Sequence, residues 1–151
     1  MSHRIDYAKA SPDGYKAFGN VYVTLQKSGL PKLLVDLVYL RISQINGCAF
    51  CIDMHSADLL KSGLSVDKLV LLQAWRDAGA LFTVRERAAL AWAEVVTQVS
   101  DGGVPDADYA AASQEFSDKE LAELTYAIGL MNAFNRFGIA FRSTPAAVSR
   151  A

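Results

Sequence analysis

Cysteine and histidine are scarce in this chain, with two of each among 151 residues. The cysteines, Cys48 and Cys51, stand three positions apart, and a bridge that closes so short a loop removes little entropy from the unfolded chain. A stabilising disulfide framework is therefore excluded, and the pair is chemical rather than structural. No run approaches the roughly 18 apolar residues of a membrane span. The first residues also hold no apolar core of signal-peptide length, so the expected location is cytoplasmic. A basic excess is missing too: the formal net charge of −1 leaves no electrostatic footprint for nucleic acid or an anionic membrane.

What the chain has in quantity is apolar side chain, 52% of residues against 21% charged. One domain over residues 1–151 can bury a proper core at this length. The apolar surplus points to further burial between copies, in a homo-oligomer. Residues 1–10 read as a flexible arm, ordered only where it packs on a neighbour, and the small, polar residues 143–151 as a flexible tail.

Between them the spacing is helical. Ser11 and Pro12 read as N-cap and first residue of a helix that carries Tyr15, Phe18, Val21, Tyr22 and Leu25 and closes at Ser28 and Gly29. Pro31 opens a second helix, apolar around more than half its circumference and hence deeply buried, with the single acid Asp36 inside it. Asn46 and Gly47 end it, since both tolerate left-handed backbone angles. A third helix begins at Cys48 and runs to about Lys61. Ser65 caps a shorter one through Trp75, and Thr83 with Glu86 forms a capping box for the next. Pro105 introduces a short helix to about Ser113. Ser117 and Glu120 form a second capping box, for a long helix reaching Phe141. No segment alternates with period two, so the fold class is all-α, a compact packing of about seven helices.

The stretch from Arg41 to His55 concentrates the chemistry. It holds both cysteines, and His55 lies one helical turn beyond Cys51 on the same face. Unpaired N–H groups and the helix dipole at a helix start favour a thiolate. If the second and third helices run antiparallel, Asp36 lies about 15 Å down one and His55 about 12 Å down the other. Asp36, His55 and Cys51 can then form an orienter, base and nucleophile. With two thiols in one turn, one can attack an electrophile and the other resolve the product. Other readings stay open on the residues alone: buried thiols acting as small hydrophobes, a zinc site completed by Asp53 or Asp36, or an ion pair between Asp36 and Arg41 or Arg136. Trp75 and Trp92 read as core or interface, and Asn132, Asn135 and Arg136 as support for the site or a subunit contact.

The string LVDLVYLRISQINGCAFCIDMH, residues 34–55, resembles the core motif of the carboxymuconolactone decarboxylase family, in particular its AhpD-like alkylhydroperoxidase branch. The segments from Arg85 to Trp92 and from Asn132 to Arg136 are similar to the family as well. The resemblance implies an all-helical homo-oligomer, trimer or hexamer, with thiol-dependent peroxidase activity. It implies Cys51 as the attacking thiol, Cys48 as the resolving one, His55 as the proton-relay imidazole and Asp36 as the relay acid. The substrate would be a hydroperoxide, the reductant a thiol protein or small thiol, and no cofactor beyond the dithiol would be needed. Two departures stand out. The family's usual relay acid is glutamate, one methylene longer than Asp36, so the contact to His55 is expected through water. Phe50 stands where related proteins carry a second histidine. Two alternatives accompany this reading: a non-enzymatic redox sensor whose dithiol gates assembly, and a decarboxylase-like enzyme.

Overall fold

The computed structural model describes residues 3–150; Met1 and Ser2 of the expected arm and Ala151 of the expected tail lie outside the described residues. Nine α-helices follow one another among these residues, and no strand occurs among them. They are α1 (Tyr7–Ala10), α2 (Pro12–Gln26), α3 (Lys32–Asn46), α4 (Ala49–Lys61), α5 (Val66–Leu71), α6 (Val84–Thr97), α7 (Asp106–Glu115), α8 (Asp118–Ala140) and α9 (Ala146–Arg150). Helices α2 to α8 are the seven expected from spacing. The two short additions fall in the arm and the tail.

Local chemistry sets most boundaries. Both capping boxes form: the Thr83 and Ser117 hydroxyls accept from the N–H groups of Glu86 and Glu120, whose carboxylates accept from the cap N–H groups in return. Ser65 caps α5 through the Lys68 N–H. Ser11 does not cap α2 with its hydroxyl; its N–H instead closes α1 on the Tyr7 carbonyl. The helix expected to reach Trp75 stops at Leu71 and tightens into a 3-10 turn over Leu72–Ala74.

Helix α3 is the axis of the molecule. Leu34, Val35, Leu37, Val38, Tyr39, Leu40 and Ile42 are all buried, because α3 serves two apolar clusters at once. Val38 and Ile42 join Trp92, Ala93, Leu124 and Ile128 of α6 and α8. Leu37 and Leu40 join Leu59, Leu72, Trp75, Phe82 and Leu90 on the other side. A helix in the middle of a bundle needs apolar residues all round, which is the pattern read from its sequence. Trp75 and Trp92 are core residues, and each indole N–H finds an acceptor, Glu94 and Thr125 respectively.

The arm and the tail each carry a short helix that contacts the rest of the chain. Arg4 bonds the carbonyls that end α8, donating from its backbone to Phe141 and from its guanidinium to Ala140. Tyr7 stacks near Phe137 and Phe141, at ring separations of 5.3 and 5.6 Å. The arm thus packs on its own chain, where exposed aromatic surface and unpaired helix-end carbonyls offer it both apolar contact and acceptors. In the tail, the N–H of Ala147 donates to Asp53, which ties α9 to α4.

Candidate functional site

The dithiol is placed by the break between α3 and α4. Gly47 takes a left-handed conformation, φ 71°, and the Cys48 N–H reaches back to the Ser43 carbonyl at 3.0 Å, closing α3. Cys48 thereby becomes the N-cap of α4, with its sulfur accepting from the Cys51 N–H. The two residues are 1% and 3% exposed, their Cα atoms are 5.3 Å apart, and their sulfurs are joined in a disulfide. Helix α8 passes directly over them at Gly138, where a Cβ would lie 3.0 Å from the Cys48 sulfur and 3.5 Å from that of Cys51. Gly138 is not among the expected site residues, although a glycine permits close approach of another group.

A polar lattice holds this break in place. Asn46 donates to both Asn132 and Asn135, Asn135 donates to the Ser43 hydroxyl, and Asn132 donates to Thr97. Asn135 is fully buried. The two asparagines of α8 therefore support the end of α3, one turn before Cys48. Arg136 turns outward and bonds the Asn132 carbonyl.

Helix α4 folds back along α3, which brings His55 onto Tyr39 with ring centroids 5.4 Å apart. His55 is 5% exposed and makes no hydrogen bond through its buried Nε2. Burial pushes its pKa below the ordinary imidazole value; the charges of Asp36 and Asp58 pull it back up, and Lys32 adds to the lowering. Asp36 is 3% exposed and pairs with Lys32, one turn earlier on the same helix. The expected partners Arg41 and Arg136 are engaged elsewhere. Arg41 bonds Glu94, a buried carboxylate that also receives Arg76 and the Trp75 indole. Asp36 meets His55 through charge rather than through a direct hydrogen bond.

Asp36, Cys51 and His55 line one cavity of about 340 Å³ together with Tyr22, Asp58, Phe50 and Met54. Tyr7, Tyr15, Met131 and Phe134 close its apolar side. Asp53 lies outside it, toward the tail. Among the described residues, no group of three or more His, Cys, Asp or Glu side chains is arranged to hold a metal ion. Chemically the arrangement offers an enclosed cysteine pair at a helix start, a buried imidazole one turn on, and a buried acid that lines the same cavity from the neighbouring helix.

An all-helical bundle with a C-x-x-C at the start of a helix and a histidine one turn later defines a class of dithiol proteins, and sequence comparison gives its family. The pattern of the carboxymuconolactone decarboxylase family matches residues 12–95, and the chain belongs to that family. It is 32% identical over 140 residues to the uncharacterized protein YdfG of Bacillus subtilis (strain 168), covering 93% of this chain and 95% of that one. Among solved structures it resembles ATU0492 of Agrobacterium tumefaciens, a protein of unknown function with an AhpD antioxidant-defence designation. That match has a TM-score of 0.91 and 41% identity, over 95% of this chain and 98% of the other. A peroxidase-related protein with an alkylhydroperoxidase AhpD core from Ralstonia eutropha JMP134 matches at a TM-score of 0.75 and 25% identity, over 92% and 74% of the two chains.

Proposed function

We propose that this protein is a thiol-dependent peroxidase that reduces organic hydroperoxides. The observation that carries the reading is the meeting of Cys51, His55 and Asp36 on one cavity, with Cys48 within bonding reach of Cys51. His55 takes the Cys51 proton, and the thiolate attacks the terminal oxygen of the hydroperoxide. The O–O bond breaks, the alkoxide leaves with the proton held by His55, and Cys51 becomes a sulfenic acid. The Cys48 thiol then displaces water from that sulfur, forming the Cys48–Cys51 disulfide, and an external dithiol or thiol protein returns both cysteines to the reduced state. Asp36 supplies the charge that, against burial and the opposing charge of Lys32, keeps His55 basic enough to accept the proton.

The cavity supports an organic substrate, since aromatic rings close one side of it and a second apolar cavity of about 280 Å³ shares Tyr7, Tyr15 and Phe134 with it. No helix among the described residues is long and apolar enough to cross a membrane. A cytoplasmic homo-oligomer, trimer or hexamer, working without nucleic acid or membrane partners, completes the proposal. Exposed Tyr126, Tyr109 and Val21 beside one shallow apolar groove support association.

The test is a thiol count on fully reduced protein before and after one equivalent of cumene hydroperoxide. Wild type is expected to lose two thiols, Cys48→Ser to stop at a sulfenic acid, and Cys51→Ser to stay inert. Repeated peroxide consumption with dithiothreitol separates an enzyme from a single-use sensor. Survival of both thiols in wild type rules the peroxidase out.

A further inference from the structure

Tyr39 carries an anomaly that the reaction above does not use. It is 0% exposed, its hydroxyl is buried without a hydrogen-bond partner, and its ring lies against His55, whose Nε2 is also buried and unpartnered. Leaving either group unpaired is costly, and two such groups on touching side chains call for one small polar molecule that serves both. Tyr39 stands three residues after Asp36, on the same face of α3, so the buried carboxylate is a polar neighbour, alongside Tyr22. Burial, then the charges of Tyr22 and Asp36, keep the phenol protonated and therefore able to donate.

We infer that Tyr39 is a positioning residue for His55, its hydroxyl and the imidazole Nε2 sharing one buried water that fixes the ring's tautomer. The water accepts from Nε2–H and from the phenol, and its own hydrogens are directed to acceptors such as the Asp36 carboxylate. Nε2 is buried and unpartnered while His55 lines the cavity, so with Nε2 held by the water the nitrogen assigned to meet the thiol proton is Nδ1. Holding the proton on Nε2 keeps the Nδ1 lone pair free, as an orienting group does for the base of a catalytic triad. Tyr39 itself does not line the cavity, so it acts through His55 and not on substrate. This role deepens the peroxidase reading, but its first readout does not depend on turnover.

The experiment is 15N NMR of the imidazoles in reduced wild type and Tyr39→Phe, the spectrum assigned with His55→Gln, alongside steady-state kinetics with cumene hydroperoxide. Phenylalanine keeps the ring and its packing, and circular dichroism checks the fold. Wild type is expected to show His55 as a single Nε2–H tautomer, with a mixture of tautomers in Tyr39→Phe. In the kinetics kcat is expected to fall roughly fivefold, the loss of about one hydrogen bond, with KM unchanged. A hydroxyl with a merely structural part would leave the tautomer and kcat as they are while the melting temperature rises, because an unpaired buried group has been removed. That result, or a mixed tautomer in wild type, overturns the inference. If wild type consumes no peroxide, the proposed function fails while the NMR comparison still decides the role of Tyr39.

Discussion

Gly138 is the position where a single methyl group is most informative. In a helix interior alanine is favoured over glycine by about 0.8–1.0 kcal/mol, an upper bound for the last turn of α8, so Gly138→Ala would stabilise α8 if helix propensity decided the outcome. Its Cβ, however, would lie 3.0 Å from the Cys48 sulfur and 3.5 Å from the Cys51 sulfur, the first well inside the usual contact distance of about 3.5–4.0 Å. Neither side can yield cheaply, because Gly138 is buried in α8 and both sulfurs are pinned at the first turn of α4. Overpacking of this kind costs about 1–3 kcal/mol, more than the propensity gain. The expected net effect on the oxidised protein is a loss of about 1 kcal/mol, or roughly 2–4 °C in Tm for a chain of this length. In the reduced protein the sulfurs can swing apart, so the loss should be smaller. Gly129 provides the control: it lies on the same helix with nothing within 4 Å of its would-be Cβ, and Gly129→Ala should gain the full propensity term. Urea unfolding of both variants, oxidised and reduced, checks the reasoning. Equal stabilisation by the two alanines in both redox states would refute the close approach of α8 to the dithiol.

Two other perturbations test the scaffold around the site. Asn135→Ala strips the buried lattice of the group that joins Ser43 to Asn46, leaving buried polar atoms unpaired; a loss of about 2–4 kcal/mol is expected, read as a lower urea midpoint at constant m-value, and a loss under about 1 kcal/mol would mean that the lattice is incidental. Glu94 governs an acid transition. Burial alone would raise its pKa, but hydrogen bonds from Trp75, Arg76 and Arg41 outweigh burial and hold it below the ordinary value of 4.5. A carboxylate depressed in the folded state contributes stability above its unfolded pKa and loses that contribution as pH falls through the folded value. Wild type should therefore lose stability more steeply than Glu94→Gln as the pH is lowered from about 4.5, and parallel curves in that range would place the pH dependence on other groups.

Much of this molecule is written in short-range chemistry. The capping boxes at Thr83 and Ser117, the glycine stop at Gly47 and the apolar circumference of α3 are decided within a few residues, so most helix boundaries from α2 to α8 were legible before any packing was known, the end of α5 excepted. The same holds for Cys48, Cys51 and His55, because one helical turn relates them whatever the rest of the chain does. The partner of Asp36 is also local: Lys32 precedes it by four residues, a spacing that a preference for the guanidinium of Arg41 or Arg136 passed over. Other features carry no local signature. Glu94 gathers Arg41 from one segment and the adjacent Trp75 and Arg76 from another, and Asn46 meets Asn132 and Asn135 across nearly 90 residues of chain. Whether Gly138 faces a sulfur, Tyr39 faces His55, or Tyr7 finds the end of α8 depends on how each helix is rotated about its axis and where it crosses its neighbours. Side-chain periodicity fixes which residues share a face of one helix; only the packing of all the helices together, chosen by the fit of their combined surfaces, decides what each face meets.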